Sequence, residues 1–190
     1  MTSDYGAALQ RRLTIDYDGN IRVYSREHME KNWYVSWRAK QVPCKVHGIC
    51  GPNSVCINNS YTGRKCCCLP GYKLKSDDDW SSGCEAKFNL SCNKNESHFQ
   101  PVKPAEFYGY DGGYYPNSTY KQCEEICSQL CHCVCFQYSF KKKDGYGDCY
   151  PKSQLRNGNL SPTVEGAIYV KLPKTVRSPI TRTICQKLFS

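Results

Sequence analysis

The chain has 190 residues, with 15 cysteines, 15 tyrosines against two methionines, and a formal net charge of +9. That length holds one or two small domains, and about 8% cysteine leaves two structural accounts: disulfides in an oxidising compartment, or several bound zinc ions. The basic residues are scattered, with KKK at 141–143 the longest run, so no nucleic-acid partner is expected, and no segment reaches the roughly 18–20 apolar residues that span a bilayer.

The first predicted elements are strands. LTIDYDGNIRVYS, Leu13 to Ser25, alternates around the turn signal Asp18-Gly19-Asn20 and predicts a β-hairpin. NWYVSWRA, Asn32 to Ala39, alternates Trp33, Val35 and Trp37 with polar residues and predicts a third strand. Three strands alone cannot bury a core, so residues 1–40 read as the end of a domain whose earlier strands lie elsewhere. The opening MTSDYGAALQRRL has no apolar h-region and does not read as a signal peptide. A disulfide reading of the cysteines then makes the chain a piece of a longer secreted protein. The hairpin resembles the monocot mannose-lectin repeat Q-x-D-x-N-x-V-x-Y, which aligns Asp16, Asp18, Asn20, Arg22 and Tyr24 with its sugar-binding positions. Asp16 for Gln removes an amide donor and Arg22 for Val removes an apolar contact. A decayed lectin strand kept for its turn is expected, rather than mannose binding.

Residues 41–87 carry the spacing C-x5-C-x5-C-x9-C-x-C-x15-C through Cys44, Cys50, Cys56, Cys66, Cys68 and Cys84, with LPGY after Cys68. This resembles an EGF-like module. The resemblance implies bridges Cys44–Cys56, Cys50–Cys66 and Cys68–Cys84, a turn at Gly71 and Tyr72 over a small core. Cys67 has no slot in that pattern and is expected to be a free thiol or a mispairing hazard. No C-x2-C pair occurs and His47 is a lone histidine in a turn, so zinc is not expected. The stretch SWRAKQVP before Cys44 has no carboxylate, so neither is calcium.

From Phe88 the pattern changes. FYGYDGGYYPNSTY, Phe107 to Tyr120, reads as loop and extended chain, and YKQCEEICSQL as a short helix with Cys123 and Cys127 on one face. CHCVCFQYSF and GDCYP predict strands, KKK at 141–143 beside Asp144 and Gly145 a solvated loop, and GAIYVKL, Gly166 to Leu172, a closing strand. A helix with two same-face cysteines, pinned to strands by later ones, resembles the PAN/apple fold. That resemblance implies Cys123–Cys149 and Cys127–Cys133, with Cys92 and Cys131 left as a sixth pair. Cys67, Cys135 and Cys185 remain as unassigned thiols. His132 flanks two cysteines but in a strand points away from both, so no catalytic cysteine is expected. N-x-S/T triplets mark Asn58, Asn89, Asn95 and Asn117 as glycosylation candidates, and Pro162 weakens a fifth at Asn159. Tyr108, Tyr110, Tyr114 and Tyr115 are the candidate ligand contacts, since tyrosine supplies amphipathic area at low entropic cost. The competing expectation is that these rings pack inside the fold.

The order of modules resembles the ectodomain of plant S-locus glycoproteins and S-domain (G-type lectin) receptor-like serine/threonine kinases, closest to the maize receptor-kinase group. PCKVHGICGPNSVC, CCCLPGY, DWSSGCEAKFNLSC and FQYSF…GDCYPKSQLRNG carry the resemblance, over roughly Arg11 to Lys174. The implied fold class is small, disulfide-rich and mostly β. It divides into a lectin-type strand remnant at 1–40, an EGF-like module at 41–87, an α+β PAN/apple domain at 88–174 with one short helix on an antiparallel sheet, and a divergent tail at 175–190. The implied role is ligand recognition or receptor dimerisation at the extracellular face of the plasma membrane. A protein or peptide ligand is expected, with a glycan as the alternative, together with homo- or hetero-dimers of receptor kinases. No cofactor is expected. No G-x-G-x-x-G loop, V-A-I-K, H-R-D or D-F-G occurs, so no phosphoryl transfer is expected, and the chain reads as a truncated fragment. A secreted decoy or glycan-binding protein is the second reading, and a cytosolic cysteine-rich metal or redox protein the third.

Overall fold

The computed structural model describes residues 1–59, 63–160 and 166–176. β1 (Gln10–Ile15), β2 (Ile21–Arg26) and β3 (Tyr34–Arg38) form an antiparallel sheet in that order. Asp18 closes the β1–β2 turn: its carboxylate accepts the Asn20 N–H at 3.0 Å, and Gly19 takes a left-handed φ of 79°. The third strand is shorter than the expected Asn32 to Ala39 and shifts register against β2. Leu13 and Ile15, on one face of β1, remain exposed.

β4 (Ser54–Asn59) and β5 (Gly63–Cys68) form a hairpin, and β6 (Tyr72–Leu74) pairs with β7 (Cys84–Ala86). Bridges join Cys44 to Cys56, Cys50 to Cys66 and Cys68 to Cys84. Side chains two apart on a strand share a face. Cys66 and Cys68 therefore point one way, and Cys67 points the other, into the core beside Leu69. Cys67 is itself disulfide-bonded, which corrects its reading as a free thiol. A residue with no slot in the six-cysteine spacing still has a face of its own, from which it reaches a different partner. Cys185 and the rest of 177–190 lie outside the described residues.

The larger sheet has the order β10 (Tyr115–Ser118), β12 (Tyr146–Lys152), β11 (Cys135–Lys141), β14 (Ala167–Pro173), β8 (Ser97–Val102). α1 (Tyr120–Gln129) lies on one face. It starts at a capping box in which the Thr119 hydroxyl accepts the Gln122 N–H and the Gln122 side chain accepts the Thr119 N–H. The Cys123–Cys149 disulfide fastens it to β12, Cys127–Cys133 fastens it to the segment that leads into β11, and Cys92–Cys131 ties the preceding segment. β11 begins at Cys135, so Cys131 to Val134 are not strand as expected. The Cys127–Cys133 bridge folds the chain back on the helix end, where the Cys133 N–H bonds the Leu130 carbonyl at 2.9 Å.

β9 (Ala105–Phe107) and β13 (Gly158–Leu160) complete a third sheet of order β5-β4-β13-β9, with β13 parallel to β4. Residues 41–87 and 88–174 therefore share one sheet. They also share one core: Val55, Ile57 and Leu69 pack with Phe107, Leu160, Ile168, Val170 and Leu172 between the two larger sheets. A second cluster, with Phe136, Tyr138 and four half-cystines, lies under α1. Alternation along β11 sends Cys135 to the first cluster and Phe136 to the second. Cys135 is the one free cysteine among the described residues; it is fully buried, which pushes its pKa well up and leaves it an inert thiol. Lys171 is buried on β14 with no hydrogen-bond partner for Nζ among the described residues, and burial pushes its pKa down.

Candidate functional site

The tyrosine-rich stretch becomes a clamped surface. The chain leaves β9 at Phe107 and re-enters the sheet at β10, and the turn between them is held by the end of β12. Lys152, only 2% exposed, donates through Nζ to the Asp111 carboxylate at 2.5 Å and to the Gly109 carbonyl at 3.2 Å. The Gly112 N–H bonds the Pro151 carbonyl at 2.6 Å, and the Ser153 N–H bonds the Tyr110 carbonyl at 3.0 Å. Tyr110 takes a left-handed φ of 59°, and the Arg156 guanidinium lies 5.7 Å from its ring centroid. A loop with its backbone groups satisfied in this way can present side chains without paying their ordering cost again on binding.

Those side chains are exposed rather than packed inside the fold: Tyr108 is 72%, Tyr110 44%, Tyr114 55% and Tyr115 37% exposed. Tyr114 stacks on Tyr150 at 5.1 Å, and His47, from residues 41–87, lies 5.6 Å from the Tyr108 ring. Between Tyr108 and Tyr150 runs an open groove of about 460 Å³ whose walls include Glu106, Gln137 and Asp148. Lys152, Asp111 and Arg156 were not among the residues singled out from the sequence. The only signal for Lys152 was its place at the end of a strand-like run, which says nothing of what it would face.

The β1–β2 hairpin places the five lectin-type positions together, but they bind one another. Arg22 donates to Asp16 at 2.6 Å and to both Asp18 oxygens at 2.8 and 2.6 Å, and the Tyr24 hydroxyl donates to Asp16 at 2.6 Å. The Asn20 side chain is buried; it donates to the Lys40 carbonyl and accepts the Lys40 N–H. The Arg22 guanidinium holds the Asp18 carboxyl at about 2, and hydrogen bonding to Asp16 raises the Tyr24 phenol above its ordinary range.

Asn58, Asn89, Asn95 and Asn117 are all exposed. Asn159 is half-buried and its side-chain amide donates to Glu106 at 3.2 Å. Among the described residues no group of three or more histidine, cysteine or acidic side chains could hold a metal ion, and no helix is long and apolar enough to cross a membrane.

Residues 3–76, which cover the three-stranded sheet and the β4–β5 hairpin, match the S-locus glycoprotein domain. The candidate receptor protein kinase ZmPK1 of Zea mays is 38% identical over 180 residues, 93% of this chain and 21% of its own length. The G-type lectin S-receptor-like serine/threonine-protein kinase At1g11410 of Arabidopsis thaliana is 28% identical over 151 residues, 75% of this chain and 18% of its own. LECRK2 of Oryza sativa, of the same description, is 28% identical over 190 residues, covering 88% and 23%. The chain thus spans about a fifth of the length of these relatives. It is a member of the S-locus glycoprotein and S-domain receptor-like kinase family.

Proposed function

We propose that this chain is an extracellular recognition region of an S-domain receptor-like kinase, which binds a protein or peptide partner through the Tyr108–Tyr115 surface and carries no catalysis of its own. One observation carries the reading: the rings of Tyr108, Tyr110 and Tyr114 stand exposed on a loop that Lys152, itself buried, holds from beneath, and Tyr115 stands exposed where that loop enters β10. Rigid aromatic anchors surrounded by polar groups are what interface hot spots are made of. Receptor pairing through the same surface is part of this reading, as is glycosylation at the exposed Asn58, Asn89, Asn95 and Asn117. The internally paired hairpin at Asp16 to Tyr24 argues against hexose binding there, because a sugar would have to displace two ion pairs of Arg22 and the two hydrogen bonds between the Asn20 side chain and the Lys40 backbone.

The test uses the whole chain, secreted and oxidised, labelled, and titrated onto maize protoplasts. Saturable binding is expected, and Tyr108→Ser with Tyr114→Ser should weaken it roughly ten- to thirty-fold while leaving the circular dichroism spectrum unchanged. A double variant that binds as the parent does would remove the tyrosine surface from the contact.

A further inference from the structure

A second groove, of about 980 Å³, lies on the helix side of the larger sheet, beyond the start of α1. Its floor is aromatic. Tyr120, Tyr138 and Tyr169 meet edge to face, with Tyr120 centred 4.8 Å from Tyr169 and 6.0 Å from Tyr138. Phe140 continues the row along β11 and is 54% exposed. Burial raises the pKa of all three phenols, Tyr120 to about 12, so the floor adds no negative charge. The rim is cationic. Lys103 stands on one side, and Lys141, Lys142 and Lys143 on the β11–β12 turn stand on the other. Asp144 is the rim's one carboxylate among the described residues, and Lys141 is paired with Asp148 at 2.9 Å. Lys103, Lys142 and Lys143 are exposed. The run of lysines expected as a solvated loop is therefore one lip of a groove.

We propose that this groove binds an acidic oligosaccharide of the uronic-acid type, whose ring faces lie on Tyr120, Tyr169 and Phe140 and whose carboxylates meet Lys103, Lys142 and Lys143. Charge complementarity calls for an anion, and the floor calls for one with flat apolar faces. A sugar ring offers its C–H face to an aromatic ring while its carboxylate projects to the side, which matches an aromatic floor under a lysine rim. An acidic peptide fits less well. Aspartate and glutamate carry their carboxylates on mobile methylene chains and offer no flat face to an aromatic ring. None of the N-x-S/T asparagines is among the residues that line the groove. The site is separate from the tyrosine loop and does not depend on that surface's role.

The probe is short galacturonic-acid oligomers, titrated into the oxidised whole chain at low and at physiological salt, with neutral dextran oligomers and polyglutamate as comparisons. Galacturonate should bind, weaken as salt screens the lysines, and outcompete both comparisons. Lys142→Gln and Lys143→Gln should each weaken it roughly two- to five-fold, and Phe140→Ala roughly three- to ten-fold. Lys75→Gln and Tyr108→Ser, which lie elsewhere, should leave it unchanged. Phe140, Lys142 and Lys143 are exposed, so their variants keep the fold, which circular dichroism checks. Polyglutamate binding as tightly as galacturonate, or indifference to Phe140→Ala, would overturn the proposal in favour of an acidic peptide or of bare charge. Absence of galacturonate binding at low salt would overturn it outright.

Discussion

At the tip of the first hairpin, Arg22 faces two carboxylates, and the geometry leaves neither free. Asp18 accepts from both terminal nitrogens of the guanidinium, and Asp16 accepts from one of them and from the Tyr24 hydroxyl. A hydrogen-bonded carboxylate resists protonation, and the Arg22 side chain is the largest cause of the low Asp18 value of about 2, against an ordinary 3.8. A carboxyl with a depressed folded pKa contributes stability that is present above its unfolded value and lost as pH falls through the folded one. Stability should therefore drop between about pH 4 and about pH 2, and Asp18→Asn should flatten that part of the profile. Urea midpoints measured across this range check it; parallel profiles for parent and variant would mean that the pair contributes nothing. The same residue separates this hairpin from a sugar-binding one. The substitution of Arg for the repeat's Val was visible in the sequence, and it supplies the cation that neutralises the flanking acids.

Among the elements, α1 shows how much short structures lean on covalent support. Ten residues are fewer than the roughly 12–15 at which isolated helices become even marginal in water, and the first turn carries no acidic side chain. Its capping box and its two half-cystines supply what length does not. Thr119→Ala should cost about 1 kcal/mol, and removal of the Cys123–Cys149 bridge by paired Ala substitutions about 2–5 kcal/mol, both read from urea unfolding without reductant. A larger loss from the cap than from the bridge would reverse this ranking. The helix was legible beforehand because its i, i+4 cysteines and the Asn-Ser-Thr run before it are local signals. The first hairpin was legible for the same reason, through Asp18-Gly19-Asn20. β9 and β13 were not, since three residues carry no period, and β13 becomes a strand only because β4 and β9 flank it. The clamp beneath the tyrosines was likewise hidden: Lys152 and Asp111 are 41 residues apart, and a lysine at a strand end looks the same in sequence whether it is solvated or paired.

For the molecule as a whole, the parallel pairing of β13 with β4 decides whether residues 41–87 and 88–174 can be treated as separate units. Val55, Ile57, Leu69 and Cys67 turn their buried faces toward residues of the later segment, so bridges alone do not complete the earlier one. Three disulfides fix its loops, yet the surface they hold in place is apolar and needs the second sheet to cover it. Gly158 sits at the join, where a methyl group would overlap the Ser54 carbonyl oxygen and the Phe107 ring. Both neighbours are fixed, one by backbone and one by a fully packed core, so the clash cannot relax cheaply. Gly158→Ala should therefore destabilise by about 1–3 kcal/mol, and the loss should reach both sides of the join. Hydrogen exchange in the oxidised protein reads this directly, with protection falling together in β4 and β14. If β14 alone lost protection while β4 kept its own, the two segments would be unfolding independently, and the shared core would be a contact between two modules rather than the interior of one.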